Sequence, residues 1–174
     1  MLIRRERDTD IPEVRTVVAA AFRSATSTEE PVEVRLLDML RAGPDWRPAL
    51  SLVAQSPAGD ITGHVVCTRA WIGEAEVVGL GPLAVRPDVQ RAGVGTALMH
   101  AVLGAVEALG TPVVALLGST SYYPRFGFHP AHEAGIESPE PAWGDHFQAR
   151  LHVPAAAAPR GPFRYAEPFR RLAP

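Results

Sequence analysis

The stretch Arg86-Pro87-Asp88-Val89-Gln90-Arg91-Ala92-Gly93-Val94-Gly95-Thr96 carries the clearest chemical signal in the chain. It follows a short apolar run, Leu83-Ala84-Val85, and opens onto residues with helical spacing. The first turn of a helix presents N–H groups that have no intrahelical partner, together with the positive end of the helix dipole. Gly93 and Gly95 have no side chains, so a pyrophosphate can come close to those N–H groups. The chain contains no lysine, so any anion cradle here is built from main chain and arginine. A Walker A loop needs Gly-Lys-Ser/Thr and is excluded. A dinucleotide fingerprint needs a third glycine where Leu98 stands, and it needs its glycines close behind the strand. A helix start that merely uses glycine remains the plain reading of the spacing taken alone.

Other reactive side chains narrow the chemistry. Cys67 is the only cysteine, so neither an intrachain disulfide nor a Cys-based zinc site can form. It stands in an apolar run with no helix start nearby to lower its pKa, and reads as a buried, inert thiol. The six histidines form no His-x-x-x-His or His-Glu-x-x-His pattern, so no metal site is expected. Without lysine there is also no Schiff-base nucleophile.

The elements that must hold this loop follow from periodicity. Leu2-Ile3-Arg4-Arg5-Glu6 reads as a first strand. Asp8-Thr9-Asp10 is expected to cap a helix that has Pro12 in its first turn and Val14, Val17, Val18, Ala21 and Phe22 on one face. A second helix carries Val34, Leu37 and Leu40 and ends at Gly43-Pro44. Leu50–Val53 and Ile61–Trp71 read as a hairpin joined at Ser56–Asp60. Val77–Val85 is a third extended run. Gly79, Gly81 and Pro82 inside it argue for a bulge, or for a place where another backbone or a ligand approaches. The helix after Gly93 places Val94, Leu98, Ala101, Val102, Ala105 and Leu109 on one face and stops at Gly110. Val113–Leu117 is a short strand buried on both faces, Phe147–Val153 alternates, and Phe163-Arg164-Tyr165 reads as a closing edge strand.

Composition sets the outer bounds. A chain of 174 residues with 47% hydrophobic and 21% charged residues is expected to form one globular domain, 1–174. The formal net charge of −2 leaves no basic excess for a phosphate backbone, so nucleic acid is a poor partner. No apolar run reaches membrane-spanning length, and the charged start Met1–Asp10 lacks a signal-peptide core, so a cytoplasmic protein is expected.

The combined motifs resemble one family. The spacing Gln90-x-x-Gly93-x-Gly95 matches its acetyl-CoA pattern, Gln/Arg-x-x-Gly-x-Gly/Ala. Gly79-Leu80-Gly81-Pro82-Leu83-Ala84-Val85 and Tyr122-Tyr123-Pro124-Arg125-Phe126-Gly127-Phe128 stand in the order and spacing of the Gcn5-related N-acetyltransferase (GNAT) superfamily. The chain is most similar to its YhbS-like bacterial branch, and Leu50–Ala54, Ile61–Val65 and Gly161–Phe169 extend the likeness over nearly the whole length. Gly118-Ser119-Thr120-Ser121 departs from the Gly-Asp that commonly precedes the paired tyrosines there, which leaves the acceptor unassigned.

The resemblance implies an α/β fold of the α+β kind: a mixed, mostly antiparallel sheet, splayed between strands 4 and 5 and flanked by helices. The strands near Val85 and Val113 should run parallel, joined by the helix from Gly93. It implies acetyl-CoA as co-substrate, no metal, and transfer of an acetyl group to the primary amine of a small molecule or protein. A non-catalytic fold of the same kind, binding acyl-CoA or a protein, is the alternative. Pantetheine would pair with Leu83 and Val85 as an added strand, and the amide of Leu83 or Ala84 would face the thioester oxygen. The pyrophosphate would lie on the amides of Arg91, Ala92, Gly93, Val94, Gly95 and Thr96, beside Gln90. Arg86 or Arg91 would meet the 3′-phosphate, or stay solvated. Tyr123 takes the place of the family's general acid toward the leaving thiolate, with Tyr122 as packing. Glu33 matches the branch's acidic helix start and is the first candidate for general base. Glu29, Glu30, His64 and Glu76 are the others, and a solvated helix-start acid is the plain reading of Glu33. Glu133, Glu137, Glu140 and Asp145 read as exposed loop acids or an acceptor wall. Such domains often pair, so a homodimer is left open.

Overall fold

A computed structural model describes residues 1–24, 26 and 29–172. In chain order its elements are β1 (Leu2–Arg5), α1 (Ile11–Phe22), α2 (Val32–Ala42), β2 (Ser51–Gln55), β3 (Ile61–Ile72), β4 (Ala75–Val85), α3 (Val94–Ala108) and β5 (Val113–Leu117). They continue with β6 (His129–Pro130), β7 (Ile136–Glu137), β8 (Phe147–Leu151), β9 (Gly161–Arg164) and α4 (Glu167–Leu172). The strands run β1-β2-β3-β4-β5-β8-β6, with β9 pairing both β3 and β7. All the neighbouring pairs along that path are antiparallel except β4 with β5. This is the mixed, mostly antiparallel sheet expected of the family.

The bulge foreseen at Gly81 and Pro82 is present. Opposite Val65 to Cys67 of β3, β4 advances from Leu83 to Leu80, so one extra residue enters β4. Gly81 has φ 148°, a region L side chains rarely enter. The insertion changes the pleat phase: Val78 and Leu80 face α3, and after the bulge so do Leu83 and Val85, while Ala84 turns to α1 and α2.

Each face of the sheet is covered by the stripe its sequence allows. Val94, Leu98, Val102 and Val106 recur at four-residue steps and seat α3, with Met99 and Leu103, on Leu52, Val65, Cys67, Leu80, Val114 and Leu116. Each fully buried side chain of this size contributes roughly 1.5–3 kcal/mol. Leu109, placed on this face from its spacing, is instead 58% exposed: it caps α3 and continues the half-buried row of Ala101 and Ala105 rather than the buried row of Leu98, Val102 and Val106. On the other face α1 and α2 bury Val14, Val17, Val18, Val34 and Leu37 on Val53, Ile61, Val66 and Ala84. Further along that face, Phe147, Phe163 and Tyr165 close the core over Ala70, Val77 and Ala115. Leu117, expected to be buried, is 45% exposed at the end of β5, although Val113–Leu116 are buried.

Two local expectations change. Asp8–Asp10 form a 3-10 turn rather than a side-chain cap. The Asp10 carboxylate instead accepts from the Arg4 guanidinium at 2.6 and 2.9 Å and from the Arg7 N–H at 2.8 Å. β9 is not an edge strand but lies between β3 and β7.

One charged cluster is sealed between β1, β2, β3 and α2. The Arg41 guanidinium donates to Glu6 at 2.5 Å, and the Ser51 hydroxyl donates to the other Glu6 oxygen. His64 Nε2 lies 2.9 Å from Ser51 Oγ and 3.2 Å from Glu6 Oε2, which suits a proton on Nε2. Burial pushes the Glu6 carboxyl up, but the hydrogen bonds from His64 and Ser51 and the Arg41 charge outweigh it and hold the carboxyl at about 2. Burial pushes His64 down, so its imidazole is neutral near pH 7.

Glu6→Gln should therefore cost about 3 kcal/mol, because it removes the buried partner of Arg41 and, among the described residues, leaves that cation only the partly exposed Asp38 at 3.4 Å. The carboxyl is depressed on folding, so its contribution is complete above its ordinary 4.5 and is lost as pH falls from there toward 2. Urea unfolding of both proteins across that range should show the gap closing with acid. A gap independent of pH would remove Glu6 from the account.

Candidate active site

β4 and β5 pair only at Val78–Val114 and Gly79–Ala115. Past Gly79, β4 keeps β3 as its partner, while β5 turns to β8, which pairs with Leu116 and Leu117. The sheet thus forks. The Arg86 N–H donates to the Thr62 carbonyl at 2.9 Å, which sets the alternation of the β3–β4 ladder. By that alternation the backbone of Ala84 turns to His64, and the backbones of Leu83 and Val85 turn away from β3 into the fork. The Val85 carbonyl accepts from Gln90 Nε2 at 3.1 Å. Of the two amides read from sequence as facing a thioester, Leu83 is the one presented; Ala84 is buried and its amide faces β3.

A cleft of about 650 Å³ lies along this fork. Leu83 and Val85 form its strand side, and Gln90, Arg91, Gly93, Gly95 and Thr96 its loop and helix side. Ala21 and Phe22 close one wall and Tyr122 and Arg125 the other. Gly93 stands just before α3 with φ 88°, and a Cβ there would meet nothing within 4 Å. No side chain caps α3, so the N–H groups of Val94, Gly95 and Thr96 carry only what the cleft brings them. The Val94 side chain itself is buried in the core, and Ala92 is exposed beside the cleft rather than lining it. Arg86 does not line the cleft; it binds Asp88 at 2.7 Å.

Tyr122 lines the cleft, whereas Tyr123, the predicted acid, is not among the lining residues and packs beside Tyr122. Its ring packs on Gly118 and meets Tyr122 and Phe128 edge-on, with centroids at 5.0 and 5.9 Å. Burial, then the neighbouring Tyr122, pushes its phenol up to about 12, so it keeps its proton at neutral pH. A second phenol, which sequence reading passed over, stands at the base of the fork. The Tyr165 ring lies on Gly79, where β4 and β5 last pair, and burial raises its pKa as well. Its position depends on β9 crossing to β3, a pairing with no local sequence signal.

The candidate bases are scattered. Glu33 is half-buried in the first turn of α2. Glu30 pairs with Arg15 at 3.0 Å, and Glu29 is exposed before α2. His64 is sealed in the Glu6 cluster. Glu76 is exposed and paired with Arg47 and Arg69, which hold its carboxyl below the usual range despite the opposing effect of desolvation. Glu133, Glu137, Glu140 and Asp145 are exposed. Cys67 is fully buried and its thiol is pushed up by burial, so it is inert. Among the described residues no three His, Cys, Asp or Glu side chains cluster as a metal site, and no helix is long and apolar enough to cross a membrane.

The model of the acetyltransferase (GNAT) family matches residues 16–128, more than half of the chain. The chain belongs to the GNAT family. This GNAT chain is 35% identical to the uncharacterized N-acetyltransferase YjhQ of Escherichia coli K12 over 167 residues, covering 91% of this chain and 88% of that one. It is 29% identical to the uncharacterized N-acetyltransferase YhbS of the same strain, over 99% of this chain and all of the relative. The crystal structure of Escherichia coli YhbS in complex with CoA superposes with a TM-score of 0.87 at 27% identity, covering 99% of this chain and 93% of the other. A GNAT family acetyltransferase from Brucella melitensis in complex with acetyl-CoA gives 0.77 at 34% identity, over 97% of each chain.

Two glycines test the packing. A Cβ at Gly118 would lie 2.2 Å from the Tyr123 ring, whereas one at Gly104 in α3 would meet nothing within 4 Å. Gly118→Ala should displace Tyr123 and cost about 1–3 kcal/mol. Gly104→Ala should stabilise by about 0.5–1 kcal/mol. Urea melts of the pair should move in opposite directions.

Proposed function

We propose that this GNAT domain, taken as one unit over 1–174, transfers an acetyl group from acetyl-CoA directly to a primary amine. The observation that carries the reading is a single cleft holding the backbone of Leu83 and Val85, which faces away from β3 and in which only the Val85 carbonyl is taken, by Gln90, together with the uncapped first turn of α3. Pantetheine is peptide-like and pairs with that free strand edge, as a peptide does in strand addition. The diphosphate accepts from the amides at Gly93–Thr96, where the helix dipole favours negative charge. Ligands bound to the two similar proteins support the choice: CoA for YhbS and the donor acetyl-CoA for the Brucella protein.

In the proposed step Glu33, directly or through water, takes a proton from the ammonium form of the acceptor. The free amine attacks the thioester carbon and the N–C bond forms. The Leu83 N–H donates to the oxygen as negative charge develops there. The C–S bond then breaks as Tyr123, still protonated at neutral pH, gives its proton to the leaving thiolate; the second proton on the nitrogen passes through water to the Tyr123 phenolate, which leaves a neutral amide and free CoA thiol. Acetyl-CoA is an intracellular metabolite, so the cytoplasm is the proposed place of action. Pairing of two copies is proposed on the family resemblance alone.

Tyr123→Phe should lower kcat about 100-fold and leave CoA affinity in calorimetry unchanged. Release of free CoA thiol over an amine panel reads the rate. An unaltered rate would take Tyr123 out of the mechanism. No heat from CoA with the wild-type chain would sink the cofactor reading.

A further inference from the structure

The main-chain cradle accounts for only part of the charge it is proposed to hold. A diphosphate ester carries about two negative charges, and a helix N-terminus supplies roughly half a positive one. No lysine exists to make up the difference. Arg86 is engaged with Asp88 outside the cleft lining, which leaves Arg91 and Arg125 as the arginines of the cleft. Arg125 is placed by its neighbours. Its guanidinium carbon stands 4.8 Å from the Tyr122 ring centroid, and one nitrogen lies 3.4 Å from the Ser121 carbonyl. Those contacts leave most of its five N–H donors available.

Tyr122 joins this cation to the helix. Its hydroxyl lies 3.0 Å from the point where a Cβ of residue 95 would stand, so glycine at that position lets the phenol rest on the first turn of α3. The ring is locked edge-on by Tyr123 and Phe126, with centroids at 5.0 and 5.4 Å. One rigid ring therefore carries a hydroxyl donor at the helix opening and a stacked guanidinium on its face. Tyr122, read from sequence as packing, does pack on Tyr123 and Phe126, and it also lines the cleft with its hydroxyl over the first turn of α3.

We infer that Tyr122 and Arg125 are the side-chain half of the cradle, and that they hold the diphosphate of the CoA thioester rather than its 3′-phosphate. This rests on the acetyl-CoA reading above. The Tyr122 hydroxyl lies over the α3 opening, where the diphosphate would lie, Arg125 stands on the same ring and lines the same cleft, and its guanidinium fork matches two phosphate oxygens.

The test is calorimetric titration of CoA and 3′-dephospho-CoA into wild type, Arg125→Ala, Arg125→Lys and Tyr122→Phe, with thermal unfolding to confirm that each variant folds. Arg125→Ala should weaken both ligands alike, by about 10-fold or more. Arg125→Lys should recover part of that loss, as a point charge without the fork. Tyr122→Phe should weaken both by roughly 3- to 10-fold. A loss confined to CoA would move Arg125 to the 3′-phosphate and overturn the inference. So would unchanged affinities in folded variants while the wild type binds. Wild type binding neither ligand would overturn the acetyl-CoA reading itself.

Discussion

The structure turns on a strand that has a partner on one side only. Beyond Gly79, β4 is hydrogen-bonded to β3, and the backbones of Leu83 and Val85 face a cleft instead of a strand. Buried main-chain groups left unpaired are costly, so a fold retains such an edge where water or a ligand satisfies it. The bulge at Gly81 is what aims this edge. It shifts the pleat by one residue, so that Leu83 and Val85 anchor on the α3 side while Ala84 supports α1 and α2. The fork and the start of α3 are therefore one unit, joined by the short Arg86–Gly93 loop and tied by the Gln90 side chain to the Val85 carbonyl.

The walls of the cleft depend on interactions some distance away. Ala21 and Phe22 reach it because α1 lies flat on β3 and β4 through Val14, Val17 and Val18. α2, which carries Glu33, is held to the sheet by Leu37 and by the Arg41–Glu6 pair beneath it. A buried charge cluster is weak evidence for net stability, but it is directional. Arg41, Glu6, Ser51 and His64 bond to one another, with Arg41 Nε and His64 Nδ1 left without a partner among the described residues, and the Arg41–Glu6 bond ties α2 to the strands. α1 and α4 also pack against α2, the helix that carries the candidate base.

Much of this was legible before the coordinates. The glycine loop, the α3 start and the interrupted strand are local: each depends on residues a few positions apart, and glycine spacing reports backbone approach directly. Tyr123 was found because its neighbourhood, through Gly127 and Phe128, is contiguous in sequence. Tyr122 and Arg125 were in the same motif, yet their part in the cleft depends on Gly95, far off in the chain, making room for a phenol. Tyr165 was read only as part of an edge strand, because nothing nearby in sequence says that β9 crosses to β3 and lays that ring on Gly79. Leu109 misled, since the residue that caps α3 keeps the helical spacing of Ala101 and Ala105 but lies past the last buried position of the helix, Val106.

Sequence alone therefore determined the elements and their chemistry: where strands and helices run, that an anion cradle must be made without lysine, and which family the motifs resemble. These follow from propensity, periodicity and residue type, all of which act over short chain distances. Only the tertiary structure decided which backbone amides are left free, which phenols and arginines reach the cleft, and which acids and histidines are spent on one another. Those outcomes are set by long-range pairing and burial, and no local pattern encodes which distant group a side chain will meet.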